Sequence, residues 1–98
     1  MKVLIIEDEA AAVRRLKKLI EDYDPRIEIV DTLDSVIDSI NWLSTNDHPD
    51  LIFMDIQLAD GNSFEIFKFV DIKKPVVFIT AFDQYAVQAF KVSALDYL

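Results

Sequence analysis

Glu7, Asp8, Asp55 and Thr80 each stand where a continuously apolar run of residues stops. The runs are Val3-Leu4-Ile5-Ile6, Leu51-Ile52-Phe53-Met54 and Pro75-Val76-Val77-Phe78-Ile79. Each reads as a strand buried on both faces, because its apolar residues are unbroken rather than alternating. In a parallel sheet all strands point one way, so the ends of the three runs share one edge. Three carboxylates and a hydroxyl then meet in the crevice where open α/β sheets bind ligands. Crowded carboxylates repel, and a hard divalent cation relieves that repulsion. Magnesium fits, since it takes oxygen ligands from one or two carboxylates and phosphate. A third carboxylate is left free to attack phosphorus and become an acyl phosphate, with the metal neutralising charge on the transferred oxygens. Thr80 can hydrogen-bond a phosphoryl oxygen, and the small Ala81 leaves it room.

The elements that must position these residues alternate strand-like and helix-like runs, the pattern of a parallel sheet covered by helices on both faces. The first strand is expected over residues 2–6. A helix over 10–22 carries Val13, Leu16, Leu19 and Ile20 on one stripe, with Arg14, Arg15, Lys17 and Lys18 facing water. Asp24-Pro25 is a turn. A short second strand spans 27–30. A second helix over 35–44 takes Leu33, Val36, Ile37, Ile40 and Leu43 as its apolar stripe, with Thr32 or Asp34 as its cap. The third strand is 51–54. Gly61, the single glycine, marks a backbone angle that other residues avoid. Asp60 reads as a turn or cap residue rather than a ligand. Ser63 is expected to cap a short helix carrying Phe64, Ile66, Phe67 and Val70. The fourth strand is 76–79, followed by a helix over 84–91 and the start of a fifth strand at Ala94. Trp42, Phe82, Tyr85 and Phe90 read as packing residues, and His48 carries no expected chemistry.

Ninety-eight residues with 52% apolar content make one small domain with a real core. A net charge of -8 argues against direct nucleic-acid contact by this segment. No cysteine is present, which excludes disulfides, thiol catalysis and zinc–thiolate sites. No apolar run reaches membrane-spanning length. The sequence reads as soluble and cytoplasmic, with no membrane partner.

Ile5-Ile6-Glu7-Asp8-Glu9, Phe53-Met54-Asp55-Ile56-Gln57, Asp60-Gly61 and Ile79-Thr80-Ala81 together make the chain similar to the receiver domain of two-component response regulators. The resemblance runs from end to end. It implies a doubly wound α/β sheet of flavodoxin-like order 2-1-3-4-5, with one receiver domain over 1–98. It implies that Asp55 is the phospho-acceptor, charged by a sensor histidine kinase. It implies magnesium held by Glu7, Asp8, Asp55 and the Gln57 main-chain carbonyl. Thr80 resembles the hydroxyl that moves toward the phosphoryl group, and Tyr97 the aromatic that reports the active state. The stretch Ala81-Phe82-Asp83-Gln84-Tyr85-Ala86, with Ala94-Leu95-Asp96-Tyr97-Leu98, resembles receivers of the LytTR type, which a DNA-binding output domain usually follows. Self-association into a homodimer is one expectation for this chain.

Two features depart from the family. The Lys-Pro pair that ends its fifth strand lies beyond Leu98, as does its last helix, so the fifth strand is expected to be cut short. Lys2, Lys73 and Lys74 precede their strands and sit at the opposite edge of the sheet. Ala59 stands where a proline is usual. Without the last helix, apolar surface on the first, third and fifth strands is expected to be uncovered, leading to partial unfolding, to self-association, or to a natural chain that is longer. Three rival readings stand beside this one: a pseudo-receiver that binds partners without phosphorylation, an aspartyl-phosphate hydrolase, and a flavin-binding protein. The hydrolase would place an aspartate where Gln57 stands. The flavoprotein would want a small-residue phosphate loop in place of Glu7-Asp8-Glu9. No independent substrate is expected, so the domain is not read as an enzyme.

Overall fold

The computed structural model describes residues 1–79 and the strand at 94–97. The expectations on Thr80, on Phe82, Tyr85 and Phe90, on the helix over 84–91 and on the side chain of Tyr97 lie outside the described residues. Along the chain come β1 (Lys2–Ile6), α1 (Ala10–Tyr23), β2 (Glu28–Leu33), α2 (Val36–Thr45), β3 (Leu51–Asp55), β4 (Gln57–Leu58) and β5 (Gly61–Asn62). A 3₁₀ turn (Ser63–Glu65), α3 (Ile66–Phe69), β6 (Val76–Ile79) and β7 (Ala94–Tyr97) complete the described elements.

Five strands form a parallel sheet in the order β2-β1-β3-β6-β7, the expected flavodoxin-like order. β1 is an inner strand, paired with β2 on one side and β3 on the other, with Val3, Leu4, Ile5 and Ile6 all wholly buried. Alternate residues of each strand face opposite sides, and the core is split accordingly. Leu4, Ile6, Ile52, Met54, Val76 and Phe78 pack with Val36 and Leu43 of α2 and Ile66 of α3. Phe78 also meets Phe64 and Phe67, with ring centroids 5.2 and 6.3 Å away. Trp42 packs against this cluster, as expected. On the other face Val3 and Ile5 pack against Ile20, Val13 and Leu16 of α1, flanked by Leu51 and Phe53. A shallow cavity of about 320 Å³ remains there, lined by Val3, Leu16, Leu19, Ile20, Leu51 and Phe53.

Several local expectations are corrected. β2 runs on to Leu33, beyond Val30, because Asp31, Thr32 and Leu33 find partners in Leu4, Ile5 and Ile6 of β1; ladder bonding overrides the poor strand propensity of Asp. Leu33 therefore belongs to β2 and not to the α2 stripe. The α2 cap is Ser35, not Thr32 or Asp34: the Asp38 N–H donates to Ser35 Oγ. Ile37 stands exposed, and Ser39 takes the inward position, its Oγ donating to the Ser35 carbonyl at 2.7 Å. Leu19 of α1 is likewise exposed. Ser63 does not cap the turn that follows it; Asn62 does, its Oδ1 accepting from the Phe64 N–H at 2.8 Å. The buried Ser63 hydroxyl has no hydrogen-bond partner among the described residues. His48 donates from Nε2 to the Leu43 carbonyl at 2.9 Å, a structural bond closing the loop after α2.

Candidate functional site

β1 and β3 are neighbours in register, with Ile6 opposite Met54, so the residues that follow them leave the sheet side by side. Glu7 and Asp8 follow β1, and Asp55 ends β3. Oxygens from these three carboxylates lie within 4.8 Å of one another. Glu7 is buried, Asp55 half-buried and Asp8 exposed, so the group is open to water on one side. Among the described residues no lysine or arginine forms an ion pair with any of the three. Lys2 lies at the other edge, where its N–H donates to the Asp50 carboxylate, as its position at the start of β1 requires.

Charge crowding shows in the titration of the pair. Burial pushes the Glu7 carboxyl up to about 7, against the bond from the Glu9 N–H and with the charges of Asp55 and Asp8. Burial also raises Asp55, opposed by hydrogen bonds from Glu7 and from the Gln57 and Ile56 N–H groups. Both carboxyls are pushed up by burial beside one another, so the pair holds a proton more tightly than two separate carboxylates would.

The loop after β3 is a tight antiparallel hairpin, Gln57 opposite Asn62 and Leu58 opposite Gly61. Its base is closed by the Ser63 N–H donating to the Ile56 carbonyl at 2.7 Å. Bonded and non-bonded pairs alternate in such a ladder, so Gln57 and Asn62 form the non-bonded pair. The polar groups of Gln57 then face away from the hairpin partner. Its N–H reaches Asp55, and in extended backbone the carbonyl of the same residue points to the same side. Gly61, at φ +146°, supplies the angle that turns the chain. Asp60 is the cap residue expected, but of a helix remote in sequence. Its carboxylate accepts from the N–H groups of Val36 and Ile37.

The structure thus brings together Glu7, Asp8, Asp55 and Gln57. Position 80 follows Ile79, the register partner of Asp55, and Tyr97 lies opposite Phe78 along β7. All oxygens on offer are hard donors suited to magnesium or calcium.

Residues 3–98 match the response regulator receiver domain. The chain belongs to that family. It is 46% identical to the sensory transduction protein LytT of Bacillus anthracis over 101 residues, covering all of this chain and 40% of that protein. It is 39% identical to the transcriptional regulatory protein LytR of Staphylococcus aureus over 101 residues, again spanning 40% of the relative. Among solved structures, the response regulatory domain of protein mrkE from Klebsiella pneumoniae superposes with a TM-score of 0.86 at 36% identity, over all of this chain and 81% of that one. The receiver therefore resembles the LytT and LytR regulators, and spans about 40% of their length.

Proposed function

We propose that this receiver takes a phosphoryl group from the phosphohistidine of a sensor histidine kinase onto Asp55. One observation carries the reading: the Asp55 carboxylate is half-buried at the sheet edge, fed by two backbone N–H groups and flanked by Glu7 and Asp8. An Asp55 oxygen attacks phosphorus, forming the P–O bond as the P–N bond breaks. The electron pair of that bond leaves with the imidazole, which regains a proton from water. Glu7, Asp8, Asp55 and the Gln57 carbonyl would hold magnesium, which when bound supplies positive charge to the phosphoryl oxygens. The N–H groups of Ile56 and Gln57 orient the Asp55 carboxylate. Thr80 would receive a phosphoryl oxygen, and Tyr97 would report the change further along β7. The acidic group supports this reading over a receiver-fold module that works without phosphorylation.

The reading extends to a cytoplasmic setting, to a DNA-binding output domain in the longer natural protein, and to homodimer formation; this segment acts on no independent substrate and touches no DNA itself. The test is incubation with a small phosphodonor and magnesium. Intact mass rises by one phosphoryl group, and Asp55→Asn abolishes the gain. Equal labelling of Asp55→Asn refutes the assignment.

A further inference from the structure

We propose that Asp60 is a positioning residue that clamps the Asp55–Gln57 backbone to the N-terminus of α2. Asp60 Oδ1 accepts from the Val36 N–H at 2.7 Å, and Oδ2 from the Ile37 N–H at 3.1 Å. Helix N-termini leave their first N–H groups without helical partners, and one carboxylate here takes two of them. α2 already has its local cap, since Ser35 Oγ accepts from Asp38. The Asp60 contact is thus more than a helix cap: it is made by a residue 24 positions along the chain.

Its place in the hairpin gives it leverage. With Leu58 paired to Gly61, Ala59 and Asp60 are the turn itself. The base of the hairpin is held by the Ser63-to-Ile56 bond, and between base and tip lie the Ile56 and Gln57 N–H groups that reach Asp55. A ladder this short has no stability of its own. Anchoring the tip to a helix leaves the Gln57 backbone one orientation, and with it both N–H donors and the carbonyl beside Asp55. Anything that shifts the N-terminus of α2 is transmitted to Asp55 by the same contact.

The magnesium half of the test rests on the function proposed above; the other half does not. Amide hydrogen exchange at Ile56 and Gln57 is measured without metal in wild type, Asp60→Ala, Asp60→Asn and Ser35→Ala, and magnesium affinity is measured by calorimetry. Asp60→Ala speeds exchange at both amides about tenfold and weakens magnesium about tenfold, the usual cost of losing a residue that orients ligands. Asp60→Asn, which keeps one acceptor oxygen, falls between. Ser35→Ala lowers the melting temperature but moves neither quantity. Unchanged exchange in Asp60→Ala, or equal acceleration in Ser35→Ala, overturns the clamp. If Asp60→Ala does not fold, the graded response of Asp60→Asn decides. If wild type binds no magnesium, the metal reading fails and the exchange data still judge Asp60.

Discussion

Replacing Glu7 with Gln should remove the pH dependence that this carboxyl imposes on the metal-free protein. Burial raises the Glu7 carboxyl from 4.5 to about 7, so the native state holds a proton that the unfolded chain releases earlier. Stability from this group is complete below about 4.5 and is lost as pH rises through about 7. At 1.36 kcal/mol per unit the shift is worth about 3 kcal/mol, which screening at a site open to water reduces to about 1–2 kcal/mol. Gln keeps the volume and an N–H for Asp55 but has nothing to ionise. In EDTA, wild type and Glu7→Gln should melt within a few degrees of each other at pH 4.5. By pH 8 the variant should lead by about 5–10 °C, given roughly 4–8 °C per kcal/mol for a domain of this size. Saturating magnesium should reverse the order, because wild type gains binding energy that the variant largely forgoes. Calorimetric melts from pH 4.5 to 8.5 supply the data. Parallel curves for the two proteins across that range would refute the reasoning.

Asp8→Ala, which also thins the acidic group, should melt higher than wild type without metal and gain little from magnesium. Wild type should gain about 2.7 kcal/mol at 100 times its dissociation constant, so a wild-type melt indifferent to millimolar magnesium counts against a metal site. Gly61→Ala meets no atom of the described residues within 4 Å, so its cost is that of a positive φ, about 1–3 kcal/mol by denaturant melt; a neutral result would show that the hairpin relaxes freely. Phe78→Ala removes a ring wholly buried against Phe64 and Phe67 and should cost about 3–5 kcal/mol in the same assay.

The sheet and the acidic trio were legible because both rest on signals local in sequence. A strand buried on both faces is written as an unbroken apolar run, and the residue after it is carried to the edge by the strand itself. That sufficed for Glu7, Asp8 and Asp55. The edge strand β2 was harder: residues 28–33 include no fully buried position, and Asp31 and Thr32 look like loop until β1 pairs with them. Helix stripes erred by one position at Leu19 and Ile37, where periodicity alone does not say how much of the face the sheet covers. The role of Asp60 had only a turn signature, since its partners Val36 and Ile37 are neighbours solely in the folded chain. Ser63 and Asn62 are both good caps by type, and the register of the hairpin chose Asn62.

The inner place of β1 in the sheet also bears on how this chain survives its own synthesis. β1 needs β3 beside it, and the bond from the Lys2 N–H to Asp50 spans 48 residues. At about 5–20 residues per second, the apolar run Val3–Ile6 is made seconds before its inner partner exists. Exposed apolar strands are where nascent chains aggregate, and flanking charges are the usual protection. Lys2 stands on one side of the run and Glu7-Asp8-Glu9 on the other. Before they meet Asp55, the same carboxylates keep a naked strand in solution, so neutralising them exposes the newborn chain to aggregation as well as emptying the site of its charge.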